Sequence, residues 1–283
     1  MVHTKFRTAY ALSILVGVLT AFASAAGLFV DGLYRNNLWA TSQFRGSDLV
    51  RLAIVVPLLF VAMGLARRGS HRALLVWLGI LWLTVYDYAF YLFGAAYNEL
   101  FLVYTALVVL SGLALLFAMP SIDAATISQR FSLGTPVRLI SVYLLLVALF
   151  LGGLWIFQSV AFIITGEEPQ SLEASGHVTE IVFALDLSLL VPGLAIAAIW
   201  LWQRRPWGYV LAAMMLVKGT LYPFALLGMG VFAARAGVPD AGDMMPFWLF
   251  FAAAGFAASL ALFWNLRPNG TEMRTSAGRA VTG

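Results

Sequence analysis

Four ionisable residues lie within long apolar stretches of the chain, where a charge is costly unless it has a partner or faces water. They are Arg51, Asp87, Asp186 and Lys218. Two are basic and two acidic, so we expect ion pairs of Arg51 with Asp186 or Asp87, and of Lys218 with Asp87. Such groups can also bind a polar ligand or carry a proton. The sequence therefore predicts a polar chamber inside a membrane.

Tyrosines accompany these charges at helical spacing. Tyr91 follows Asp87 by four residues and Tyr222 follows Lys218 by four, and residues at this spacing share one face of a helix. Glu99, near the start of the next apolar stretch, is a further candidate for the chamber. A phenol combines a hydroxyl with an apolar ring, which suits a pocket for a small organic or lipid-like molecule. The alternative is an interfacial tyrosine belt, with charges that only hold helices together.

The composition indicates what kind of protein must position these side chains. Of 283 residues, 62% are hydrophobic and 11% are charged, whereas a soluble domain has about 45–50% apolar and about 25% charged residues. This excludes a soluble globular enzyme, a disordered chain and a fibrous repeat. The chain has no cysteine and three histidines, which excludes thiol chemistry and disfavours multi-histidine metal or haem sites. We expect membrane lipid around the protein, and no cofactor, metal or nucleic-acid partner.

Eight segments are long and apolar enough to span a bilayer, which takes about 20 residues. The sequence therefore predicts an all-α, polytopic membrane bundle. The segments are Thr8 to Val30, Asp48 to Ala66, Ala73 to Gly94, Asn98 to Met119, Pro136 to Thr165, His177 to Trp202, Trp207 to Ala234 and Pro246 to Leu266.

Basic residues gather in alternate connections between these segments, and the other connections are acidic. Because basic loops stay in the cytoplasm, the pattern predicts two cytoplasmic termini in a plasma membrane, of the bacterial inner-membrane type. At 1.5 Å per residue, the four buried charges lie about 20–27 Å from the basic loops, so the chamber is predicted to open outward. An alternative for the first segment is a cleavable signal peptide, since Lys5 and Arg7 precede it and Ala-Ser-Ala occupies positions 23–25.

The first and second parts of the sequence also resemble each other. A shift of 135 residues places Arg51 on Asp186 and Pro57 on Pro192, and a shift of 134 places Tyr88 on Tyr222. Each half then has four spans, so the halves have the same orientation and form parallel repeats. Mid-helix proline at equivalent positions predicts a kink in both halves.

The repeat divides the chain into four parts. We expect two parallel four-helix repeats over residues 1–120 and 136–267, a cytoplasmic interfacial linker over 121–135, and a disordered cytoplasmic tail over 268–283. The first functional hypothesis is binding or transport of a small solute or lipid between the halves. The alternative is a non-transporting sensor or assembly subunit whose buried charges are structural. No catalytic residue set is recognised, and a retinal protein built on Lys218 and Asp87 would not explain eight spans.

Overall fold

The computed structural model describes residues 6–267 and is all-helical, with eight helices long and apolar enough to cross a membrane. This confirms the predicted number of spans. Two six-residue helices, Ala124–Gln129 and Gln170–Ser175, lie in connections. The tail expected at 268–283 lies outside the described residues. The long helices are α1 (Arg7–Phe29), α2 (Leu38–Arg67), α3 (His71–Gly94), α4 (Phe101–Ala118), α5 (Val137–Thr165), α6 (Ile181–Trp202), α7 (Pro206–Arg235) and α8 (Met245–Trp264).

Helix α2 begins at Leu38, ten residues before its predicted start at Asp48. Asn37 caps the helix, since its side chain accepts a hydrogen bond from the backbone N–H of Ala40 at 2.9 Å. The first turns are rich in polar residues, so hydropathy alone places them in a loop. They are nevertheless buried against other helices: Ser47 and Asp48 are at most 1% exposed. The sequence prediction of this boundary was therefore wrong.

Helices α2 and α6 each contain one π-helical turn, over Arg51–Val55 and Asp186–Leu190. In each turn, a backbone N–H donates to the carbonyl oxygen five residues earlier: Val56 donates to Arg51, and Val191 donates to Asp186. A proline follows directly, and its ring would crowd the carbonyl four residues earlier in a regular α-helix. A widened turn relieves that crowding, and turns of this kind are frequent at functional sites.

Helices α3 and α7 form the centre of the bundle. Helix α3 packs against α2, α4, α6 and α7, and α7 packs against α2, α3, α6 and α8. Their apolar windows are 72% and 61% buried, against 22–44% for the other spans. Side chains on these two helices therefore face protein on most sides.

The two ends of the bundle differ in charge. At the basic end, Arg72 at the start of α3 donates to the carbonyl of Leu266 after α8 at 3.0 Å. At the opposite, acidic end, Asn36 before α2 donates to the carbonyl of Gly94, the last residue of α3, at 3.1 Å. These contacts between helix termini fix which connections share an end.

Candidate functional site

The first four helices enclose a buried ion cluster, the Arg51 cluster, formed by Asp48, Arg51, Asp87 and Tyr91. Arg51 Nε donates to Asp87 Oδ2 at 3.1 Å, and Arg51 Nη1 donates to the Tyr91 hydroxyl at 2.6 Å. Nη1 also lies 3.4 Å from Asp48 Oδ1. All four residues are at most 4% exposed. The Arg51 guanidinium thus forms ion pairs with two buried carboxylates, which lie on two different helices.

Asp48 is a member of this cluster that the sequence reasoning missed. Its Oδ2 accepts a hydrogen bond from the Tyr34 hydroxyl at 2.5 Å, and its Oδ1 lies 3.1 Å from the Tyr91 hydroxyl. The predicted helix start placed Asp48 at the membrane surface, where a carboxylate needs no partner. Its spacing of three from Arg51 is the signal that could have found it, because residues i and i+3 are neighbours on a helix.

Aromatic rings fill the space around the Arg51 cluster. Phe44 and Tyr104 each pack against the Tyr91 ring, with centroid distances of 4.7 and 5.4 Å. The Arg51 guanidinium carbon lies 4.4 Å from the Tyr91 ring centroid, a distance at which a cation is attracted to the ring face. Tyr88 packs against both Tyr91 and Tyr104. The first half of the bundle is closed around its charges.

The second four helices and α3 form a different group, the Lys218 cluster, which consists of Tyr86, Trp155, Asp186, Lys218 and Tyr222. Asp186 Oδ1 accepts from the Tyr86 hydroxyl at 2.6 Å, and Oδ2 accepts from Trp155 Nε1 at 2.8 Å. Lys218 Nζ lies 3.6 Å from the Tyr86 ring centroid and 4.2 Å from that of Tyr222. Lys218 and Asp186 are 2% and 4% exposed.

The expected pairings turn out differently for the two bases. Arg51 pairs with Asp87, the second of its two expected partners, and not with Asp186. Among the ion pairs of residues 6–267, the one expected between Lys218 and Asp87 does not occur. The number of residues along each helix predicts that these charges lie at similar depth. It does not predict the direction in which each side chain points around its helix axis, and that direction decides which charges form pairs.

Glu99 lies apart from both clusters. It precedes α4 at the acidic end, where its carboxylate pairs with Arg35, and its side chain is 65% exposed. Hydrogen bonding by its own backbone N–H, followed by the Arg35 guanidinium, lowers the pKa of Glu99 from its ordinary value. Glu99 therefore belongs to the solvated surface and was wrongly expected near the chamber.

A cavity of about 750 Å³ adjoins the Lys218 cluster. Its walls are mainly apolar and come largely from α5 to α8, including the aromatic rings of Phe150, Phe183 and Phe247. Lys218 and Asp186 lie on its lining together with Trp155 and Tyr222. The volume falls within the range of about 300–1,000 Å³ typical of small-molecule sites. The cavity thus combines an apolar body with one charged region.

The cavity reaches the acidic end of the bundle. His177, Glu180 and Asp240 from the connections line it there, and α2 and α3 contribute Gln43 and Phe90. Burial lowers the pKa of His177 from its ordinary value, although its hydrogen bond with the Gly94 backbone and the nearby Glu180 oppose that shift. The lowered pKa favours the neutral form of His177, and Glu180 and Asp240 are the acidic residues at this end of the cavity.

Two helix contacts differ in how closely the helix backbones approach each other. Helix α2 meets α7 at Gly46 and Gly228, whose backbones touch because neither residue has a side chain. At the positions 135 and 134 residues away, α6 meets α3 at Ile181 and Gly94. The Ile181 side chain stands between these helices, 3.2 Å from where a Cβ on Gly94 would lie. Helix α6 is thereby held off α3 where α2 lies directly on α7.

Comparison of the chain with known proteins returns no match to a family model, to a curated protein or to a solved structure.

Proposed function

We propose that this multi-pass membrane protein binds a small amphipathic molecule or lipid in the cavity formed mainly by α5 to α8. The observation that carries the proposal is the apolar cavity of about 750 Å³ with Lys218 and Asp186 on its lining. Ligand sites are typically concave and mostly apolar, with a few polar groups that fix orientation. Ionisable residues within spans usually face a partner, a cavity or a substrate pathway.

The two charge clusters favour different roles. The Arg51 cluster is packed with aromatic rings and pairs its own charges, which favours the structural role of our alternative hypothesis, a sensor or assembly subunit. The Lys218 cluster adjoins open space, and no carboxylate among residues 6–267 lies within 4.0 Å of its lysine Nζ. We assign ligand binding to the Lys218 cluster in the second half, and stabilisation of the helix packing to the Arg51 cluster in the first half.

We further propose that residues 1–120 and 136–267 are parallel repeats. The two π-helical turns support this, because they begin at Arg51 and Asp186, 135 residues apart, and each leads into a Val-Pro pair. The equivalent contacts of α2 with α7 and of α6 with α3 support it as well. On this proposal, one repeat has become a rigid partner for the other.

The charge of the loops supports a proposed orientation. With both termini in the cytoplasm of a bacterial-type inner membrane, the acidic end and the cavity mouth face outward. A ligand would then enter from the outer leaflet or from the outer aqueous phase. Binding is the property that the cavity supports, and transport would be a further step.

Gly219 offers a direct test, since it lines the cavity and a Cβ added there meets no atom within 4 Å. In this cysteine-free chain, Gly219→Cys should react with a small maleimide in nonionic detergent, and dodecanoate or 1-dodecanol should slow the reaction by occupying the cavity. Thr165→Cys, at the exposed end of α5 and outside the cavity lining, should react without protection. Ser24→Cys, fully buried in the closed half, should stay unreactive.

The rates of modification, followed by mass spectrometry of the intact protein, decide the outcome. An unreactive Gly219→Cys protein that remains monodisperse would show that the cavity is closed to small molecules. A reactive cysteine that neither amphiphile protects would show that the cavity holds only solvent or detergent.

A further inference from the structure

Lys218 is a buried lysine whose hydrogen-bonding capacity is not used by residues 6–267. Its ammonium has three N–H donors, and its nearest described partners are the ring faces of Tyr86 and Tyr222. Among residues 6–267, no carboxylate lies within 4.0 Å of Nζ. Ring faces attract a cation but offer no oxygen lone pair. An acceptor supplied from the cavity would complete this site.

Asp186, the acidic residue of the Lys218 cluster, already has a hydrogen-bond donor other than Lys218 on each of its oxygens. Each carboxylate oxygen already accepts one hydrogen bond, from Tyr86 at 2.6 Å and from Trp155 at 2.8 Å. Both donors are neutral groups, a phenol and an indole. Two neutral donors thus hold the Asp186 carboxylate in place and leave the ammonium available.

The cavity lining places the ammonium where a ligand can reach it. Of the described residues that line the cavity, Lys218 is the only lysine or arginine. Tyr86 and Tyr222 fix its position through their rings, and the apolar walls formed by Phe150, Phe183 and Phe247 lie beyond it. In such low-dielectric surroundings an ion pair is stronger than in water.

We propose that Lys218 binds the anionic head of an amphipathic ligand, a carboxylate or a phosphate, while the apolar tail of that ligand lies along the aromatic walls. This inference rests on the proposed function, because it names the chemistry of the molecule that the cavity takes. A compact ammonium pairs with either anion as a point charge. Glu180 and Asp240 at the acidic end would repel the head there, which favours its placement at Lys218.

The test compares probes of one chain length that differ only in head group, by their protection of the Gly219→Cys protein from maleimide. The probes are dodecanoate, dodecyl phosphate, 1-dodecanol and dodecylammonium. We expect at least one of the two anions to protect at about tenfold lower concentration than the alcohol, because only the anions can make a charge-assisted hydrogen bond with the ammonium. Adding Lys218→Met, which keeps the length of the side chain, should remove this advantage and leave protection by 1-dodecanol unchanged.

The outcomes separate this inference from the proposed function. Equal protection by the alcohol and both anions would overturn anion recognition and leave cavity binding intact. Stronger protection by dodecylammonium than by the other probes would mean that Asp186 binds the head group, and would overturn the proposed role of Lys218. Protection by none of the four probes would overturn the proposed function itself. Preference for dodecanoate over dodecyl phosphate, or the reverse, would identify the head group. Because the wild-type lysine is present throughout the first comparison, the test does not depend on folding of Lys218→Met.

Discussion

Replacing Arg51 with methionine is expected to destabilise the folded protein by about 3–5 kcal/mol, because it leaves buried carboxylates without their cation. Arg51 contacts both Asp48 and Asp87, and all three side chains are at most 4% exposed. The substitution also removes the donor to the Tyr91 hydroxyl. The midpoint of unfolding in mixed detergent and SDS micelles measures the effect.

A matched control lies on the same helix. Arg45 pairs with Asp31 at 2.8 Å, but the Asp31 side chain is 97% exposed, and exposed ion pairs contribute only about 0–1 kcal/mol. Arg45→Met should therefore unfold close to the wild-type midpoint. Adding Asp48→Asn and Asp87→Asn to Arg51→Met should recover part of the loss, since the stranded charges are then gone. Equal midpoints for Arg51→Met and Arg45→Met would contradict the assignment of the Arg51 cluster as a lock between helices.

The second large effect is expected at Gly46, where even a methyl group has no room. A Cβ on Gly46 would overlap the backbone of Gly228 on α7, which cannot rotate away as a side chain could. Gly46→Ala should therefore push α2 off α7 and destabilise the protein by about 3 kcal/mol, the upper part of the usual range for overpacking. Small residues at such crossings allow the close backbone approach on which packing between membrane helices depends.

Gly64, also on α2, provides the control for this substitution. A Cβ at Gly64 meets no atom within 4 Å, so Gly64→Ala changes the same residue type without a clash. The SDS unfolding midpoints of the two variants give the comparison. A Gly46→Ala protein as stable as Gly64→Ala would mean that α2 and α7 do not pack at this crossing.

Hydropathy predicted the bounds of most helices to within a few residues, and it failed where polar turns are buried against protein. The spans that begin at Arg7, Val137 and Pro206 were predicted within one residue, because all three are apolar over most of their length. The start of α2 was missed because its polar first turns are buried against protein, including α7, instead of facing lipid. A spanning helix must be apolar only where it faces lipid, so hydropathy does not detect helical turns that are packed against protein.

The buried charges show a second limit of prediction from the sequence. Their residue types and their places within apolar stretches are visible in the sequence, so Arg51, Asp87, Asp186 and Lys218 could be named as site candidates. Their grouping into one closed cluster and one cavity could not, because it depends on rotation about each helix axis and on packing between the halves. Trp155 is an example: a tryptophan in an apolar helix gives no sign that its indole N–H will hold Asp186.

The central claim is that the cavity among α5 to α8 holds an amphipathic molecule. Photolabelling with a dodecanoate analogue carrying a terminal diazirine, followed by mass spectrometry of the digested protein, tests this claim most directly. We expect cross-links to concentrate on the cavity walls of α5 to α8, to be displaced by unlabelled dodecanoate, and to be reduced in Gly219→Leu, whose side chain takes up part of the open space. Gly153→Leu, at an exposed glycine of α5 outside the cavity, should label as the wild type does. Cross-links spread evenly over the lipid-facing surfaces of both halves, and equal in the two variants, would contradict the account.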